Sequence, residues 1–192
     1  MTTDALPIIG FDGISKRYDN GTQALAGVSF SIASGAIHAI CGENGAGKST
    51  LMKILFGLEQ PTSGTIKLDG AAVSIASPRA AAALGIAMVH QHFSLIPSLT
   101  VAENILLGQE PRRGLLIDRT EARKRVEALA KRYNLDIEPD ARVSTLSVAA
   151  QQKVEILKAL SRDTVRVLIL DEPTAVLTPP ETDELFQRLR DL

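Results

Sequence analysis

The feature that most restricts how this chain can fold is the run GENGAGKST at Gly42–Thr50, set directly after the apolar segment Ile37–Cys41. Behind it, Leu51, Ile54, Leu55 and Leu58 recur at helical spacing, so the run joins a buried strand to an amphipathic helix. Glycines in such a turn let the backbone close around an anion. Successive N–H groups and the helix N-terminus then converge on phosphate oxygens, and Lys48 adds a point charge. The residue types fit a polyphosphate cradle, with the Ser49 hydroxyl placed to hold a magnesium ion.

The remaining composition narrows the setting. With 192 residues, 45 % of them hydrophobic and 22 % charged, the chain suits one good-sized core, and disordered or fibrous architectures are excluded. Lys and Arg number 21 against 22 Asp and Glu, a net charge of −1, so no nucleic-acid partner is expected and any anion must be held locally. The single cysteine, Cys41, cannot form an intramolecular disulfide, and with no secretory leader in view a reducing cytosol is expected. Two uncharged stretches, 21–42 and 80–102, are too polar or too broken by turns to span a bilayer.

Short strands are expected at Ile8–Phe11, at Val28–Ile32 after a break at Asp19, Asn20 and Gly21, and at Thr65–Leu68 before a turn at Asp69 and Gly70. This is antiparallel material. From 94 to 163 helix formers dominate. Asp118 followed by Glu121 opens one helix, with Ala122, Val126, Leu129 and Tyr133 inward and Arg123, Lys124, Lys131 and Arg132 on a solvated face. A second helix is expected over 148–160, buried through Val154, Leu157 and Leu160. Val165–Leu170 then reads as a central parallel strand covered on both faces. A last helix starts at Thr178, Pro179 and Pro180, with Leu185, Phe186 and Leu189 inward, and strands are expected to follow it.

Val167–Leu170 runs into Asp171 and Glu172. Carboxylates at the C-terminal end of a central strand lie where α/β sheets bind ligands, so Asp171 suits a magnesium shell and Glu172 an attacking water. His90 and His92 have no further ligand close in sequence, and a structural role is expected for them rather than a metal site.

Together these motifs resemble the nucleotide-binding subunits of ABC transporters over almost the whole chain. That resemblance implies an α/β P-loop NTPase (RecA-like) core, 1–93 and 164–192, with an N-terminal antiparallel β subdomain and an inserted α-helical subdomain, 94–163. It implies ATP and Mg2+ as ligands. Gly42, Glu43, Asn44, Gly45, Ala46, Gly47, Lys48, Ser49 and Thr50 would bind nucleotide, and Tyr18, in KRYDN, would stack on adenine. Gln91, in MVHQHF, would touch nucleotide and metal beside Ser49 and Asp171, and Glu172 would be catalytic. Ser147, Val148 and Ala149 would form the signature loop that meets the nucleotide of an opposite cassette. MVHQHF, QQKVEILKAL and DEPTAVLTP resemble the importers of nucleosides and simple sugars, the nucleoside branch more closely. The implied partners are membrane permease subunits and a second cassette, in the same polypeptide or as a dimer, at the cytoplasmic face of the membrane.

Three positions depart from the family pattern. Ala149 stands where glycine is usual, Thr178 where many cassettes have aspartate, and no histidine follows Glu172. If position 149 needs positive φ, alanine there costs about 1 kcal/mol or more. The chain, expected to be C-terminally incomplete, should bind Mg-ATP and by itself turn it over slowly or not at all. Two alternatives stay open: a soluble cassette ATPase outside transport, and a non-catalytic nucleotide-binding fragment.

Overall fold

The computed structural model describes residues 7–90, 93–162, 164–173 and 179–190. It divides into two compact units, Met1–Ile86 and Ala87–Leu192. Among the described residues no helix is long and apolar enough to cross a membrane.

In the first unit, β1 (Pro7–Arg17), β2 (Gln23–Ala33), β3 (Ser63–Leu68) and β4 (Ala71–Val73) form an antiparallel sheet in the order β2-β1-β3-β4. Both long strands run well past their apolar centres. Phe11 and Ile14 are three apart yet both buried, which strict alternation forbids; the β1–β2 register shifts between them, and Gly13 takes φ 63 there. Two hydroxyls satisfy the disturbed backbone: Gly13 N–H donates to Ser29 Oγ at 2.8 Å and Gly27 N–H to Ser15 Oγ at 2.9 Å. Phe11 pairs with Phe30 across the strands, ring centroids 4.8 Å apart. The expected turn at Asp69 and Gly70 is present, at φ 50 and φ 80, and joins β3 to β4.

Helix α1 (Lys48–Leu55) buries Leu51, Ile54 and Leu55. It ends sooner than the apolar period suggests. Gly57 at φ 76 turns the chain, and Leu58 is left outside the helix, 48 % exposed. The six-residue α2 (Pro78–Ala83), which apolar spacing did not indicate, is held by Ser77, whose side chain accepts from the Ala80 N–H. The larger departure is Ile37–Cys41. It forms no strand; Ile37 is 52 % exposed and Cys41 is also exposed. An apolar run becomes a buried strand only when neighbours take up its N–H and C=O groups, and no described residue supplies that ladder.

β5 (Ile86–Val89) begins at the end of the first unit and pairs with β8 (Val167–Leu170). β8 is shorter than expected and half-buried except at Ile169, since β5 is its only partner among the described residues. The second unit otherwise carries α3 (Val101–Ile105), the small hairpin β6 (Arg112–Arg113) and β7 (Leu116–Ile117), α4 (Arg119–Arg132), a 3-10 turn at Val143–Thr145, α5 (Val148–Leu160) and α6 (Pro179–Arg190). Asp118 caps α4 by accepting from Glu121 N–H, and Arg123, Lys124, Lys131 and Arg132 are exposed as expected. Val101, Ile105, Val126, Val154 and Leu157 sit at the centre of one apolar cluster. The starting cap of α6 falls on Thr178, outside the described residues.

Among the described residues of this unit, Asn104 is the fully buried polar side chain. Its Oδ1 accepts from Ile96 N–H at 2.7 Å, and its Nδ2 donates to the carbonyls of Ile96 and Thr100, both at 3.0 Å. Asn104→Ala would strip partners from these backbone groups, and unfolding free energy is expected to fall by about 2 kcal/mol. Urea denaturation followed by circular dichroism measures this; a midpoint equal to wild type would show that water replaces the side chain.

Candidate functional site

The loop at Gly42–Thr50 is built by glycine stereochemistry. Gly45 and Gly47 take φ 84 and φ 88, and Ala46 N–H donates to the Glu43 carbonyl at 3.1 Å, curling the chain before α1. Gly47 is the N-cap of α1, and no side chain caps the helix. Its first turn carries no acidic residue. The N-terminal end of the helix therefore offers its amide groups and partial positive charge to an anion rather than to a neighbouring carboxylate. Lys48 folds over the loop, donating from Nζ to the carbonyls of Gly42 at 2.7 Å and Glu43 at 2.9 Å. This donor set suits a polyphosphate: amide groups, an ammonium and the Ser49 hydroxyl, with 42–46 exposed to a ligand.

Within the same unit, Tyr18 lies beside this loop's helix, its hydroxyl 3.4 Å from Thr50 Oγ1. Lys16, two residues earlier on β1, puts its Nζ 5.1 Å from the Tyr18 ring centroid. The lysine is itself tied to Glu59 at 3.0 Å and to the Gln60 carbonyl at 2.9 Å. Strand alternation does not predict this contact, because Tyr18 lies beyond the end of β1 and the register shifts between Lys16 and Arg17.

In the second unit, Asp171 follows β8, half-buried, and its N–H donates to the Val89 carbonyl at 3.1 Å. The C-terminal ends of β5 and β8 thus lie together, so the chain toward Gln91 and the Asp171–Glu172 pair leave the sheet at one end. Gln91 and His92 themselves lie outside the described residues. Glu172 is exposed and holds φ 52, a left-handed conformation costly for a residue with a Cβ. Ser147 is the N-cap of α5, its hydroxyl accepting from Ala150 N–H at 3.2 Å, and Val148 is 44 % exposed. Ala149 lies in the first turn of α5 and is not at positive φ. The strain foreseen for alanine at that position is absent.

A contact that sequence reasoning missed fastens α5 to the segment after Gln91. Buried Glu155 accepts a hydrogen bond from Ser94 N–H, and Lys158 Nζ donates to the Ser94 carbonyl at 2.9 Å. Positions 155 and 158 are three apart on one helix, so both reach the same residue, one its N–H and the other its carbonyl. Glu155→Gln keeps an acceptor and Glu155→Ala does not; the Ser94 amide is expected to exchange with solvent deuterium about tenfold faster in the alanine variant alone. Equal exchange in both variants would show that Glu155 does not hold this segment.

A family model described as ABC transporter matches residues 25–175. The chain belongs to the ABC transporter family. It is 52 % identical over 185 residues to a putative ribose/galactose/methyl galactoside import ATP-binding protein of Agrobacterium fabrum, covering 96 % of this chain and 36 % of that one. It is equally, 52 %, identical to a nucleoside import ATP-binding protein of Lactococcus lactis subsp. cremoris, again over 96 % of this chain and 36 % of the relative. Identity therefore does not favour the nucleoside over the sugar group. The chain spans about 36 % of the length of these curated relatives. Among solved structures, cbiO1 of Clostridium perfringens, part of an ABC transporter complex, superposes with TM-score 0.80 at 31 % identity, covering 96 % of this chain and 73 % of that one. An ABC transporter cassette in its ADP conformation gives TM-score 0.82 at 24 % identity, over 96 % and 76 % of the two chains, and supports the fold alone. The expected P-loop fold class and the antiparallel β region both stand.

Proposed function

We propose that this chain is the ATP-binding part of an ABC importer for a nucleoside or simple sugar, coupling ATP binding and hydrolysis to movement of solute through a membrane permease. The observation that carries the reading is the loop at Gly42–Thr50, where an uncapped helix N-terminus and the Lys48 ammonium converge on one exposed turn. The import role is supported by the names of the relatives. On this reading 1–93 and 164–192 form the nucleotide core and 94–163 the signature subdomain.

The residue roles follow from chemistry. Backbone amides of 42–50 and Lys48 would hold the phosphates, and Tyr18 would present its ring to the base. Ser49, Asp171 and Gln91 would surround Mg2+, which when bound neutralises phosphate charge. Glu172 would orient and deprotonate the attacking water. Ser147, Val148 and Ala149 would face the nucleotide of a second cassette, in the same full-length polypeptide or in a dimer. The assembly would sit on permease subunits at the cytoplasmic face of the membrane.

Titrating the chain with fluorescent ATP, with and without Mg2+, tests this. Saturable binding displaced by ADP and strengthened by Mg2+ is expected; absence of saturable binding would end the reading. Glu172→Gln is expected to leave ATP affinity within about twofold of wild type, because an exposed group oriented toward water contributes little to ground-state binding. Phosphate release from the intact transporter should fall by about a hundredfold or more in the same variant.

A further inference from the structure

Between α3 and α4 the chain puts out a hairpin whose surface the cassette reading does not explain. Arg112 pairs with Ile117 and Arg113 with Leu116, and the turn between them is Gly114–Leu115, with Gly114 at φ 66. Asp118 N–H donates to the Pro111 carbonyl at 2.8 Å and closes the base. A two-residue turn places Leu115 at the apex, where it is 98 % exposed; Leu116 is 76 % and Ile117 54 % exposed. No other stretch of described residues exposes three consecutive large aliphatic side chains, and turns normally carry polar residues there.

The charges are arranged along the hairpin axis. The aliphatic residues occupy the tip and second strand, and the arginines stand beside and behind them, both exposed. Asp118 caps α4, and Glu110 accepts from Gly108 N–H, a bond that with the neighbouring Arg112 charge holds its carboxyl below the usual range, which leaves Arg113 as the arginine farther from an acid along the strand. Arg119 pairs with Glu103 at 3.5 Å. An apolar tip with a cationic collar matches the depth profile of a bilayer surface, in which acyl chains lie below a layer of phosphate oxygens.

We infer that the 112–117 hairpin is a membrane-surface contact, inserting Leu115 and Leu116 among lipid headgroups while Arg112 and Arg113 meet anionic lipid phosphates. The inference rests on the transport reading, which brings the chain to a membrane. Co-sedimentation of the purified chain with phosphatidylcholine vesicles, with and without one-fifth phosphatidylserine, tests it. Wild type is expected to pellet with the anionic vesicles and to be released by high salt. Leu115→Ser/Leu116→Ser and Arg112→Ser/Arg113→Ser should each lower partitioning about tenfold or more, while Lys124→Ser, on the solvated face of α4, should lower it far less. Failure of wild type to bind anionic vesicles, or binding that survives both hairpin variants, would overturn the inference, as would binding only to vesicles that carry a permease. ATP titration of the same samples keeps the two readings apart: ATP binding without vesicle binding sinks the hairpin alone, and hairpin-dependent vesicle binding without ATP binding sinks the cassette reading alone.

Discussion

Lys48→Ala is expected to weaken ATP binding by about 1.5–3 kcal/mol, roughly 10- to 150-fold, the range for hydrogen bonds made to charged groups. The geometry explains why so much rests on one side chain. An ammonium carries three N–H donors; here two go to the carbonyls of Gly42 and Glu43, which leaves one to turn toward phosphate without releasing the loop. The lysine thus shapes the turn and charges it at once. Alanine removes both effects, and phosphate oxygens would then face the two carbonyl dipoles with no cation between them. Lys48→Arg tests the geometry separately from the charge. A planar fork cannot cap the same two carbonyls as a compact ammonium does, so affinity is expected to recover only in part. Isothermal titration with Mg-ATP reads all three proteins. Equal affinity for wild type and Lys48→Ala would remove the basis for a nucleotide site here.

What could be read from sequence, and what could not, divides along the distance over which each feature is determined. The ends of α5, the Asp118 cap of α4 and the Asp69–Gly70 turn depend on residues within a few positions of one another, and the structure has them as the sequence implies. The capping box at Thr100 and Glu103 is equally local, and its spacing was open to reading. Ile37–Cys41 is the contrary case. Its apolarity belongs to a strand, but strand formation is decided by partners far away in sequence, and without them in the described residues the segment stays unpaired. Phe11 and Ile14 defeat a period-2 reading because the bulge between them follows from the pairing with β2. The same division runs through the site. The glycine loop was legible because its glycines, lysine and serine are contiguous; Lys16 over Tyr18 and Glu155 on Ser94 were not, because each is a meeting of side chains placed by tertiary structure.

Gly47→Val is expected to destabilise the fold by about 2–6 kcal/mol and to abolish ATP binding with it. Two independent costs combine. Gly47 holds φ 88, which for a β-branched side chain costs about 1–3 kcal/mol. A Cβ built there would also overlap the Ala24 carbonyl oxygen and come within 2.7 Å of Leu25 Cδ2. Such overpacking adds about 1–3 kcal/mol, because the Ala24 oxygen belongs to the β2 backbone and cannot swing aside as a side chain can. For a chain of this size that corresponds to a melting temperature lower by roughly 4–24 °C. Gly45 provides the contrast. It has nearly the same φ, 84, but no atom lies within 4 Å of where its Cβ would be. Gly45→Ala is therefore expected to cost only about 1 kcal/mol, the conformational part alone. Differential scanning calorimetry of the two variants separates the contributions: similar losses would mean that strain dominates at both sites, whereas a much larger loss at Gly47 would show that the loop must lie directly against β2 to bring the N-terminus of α1 to the phosphates.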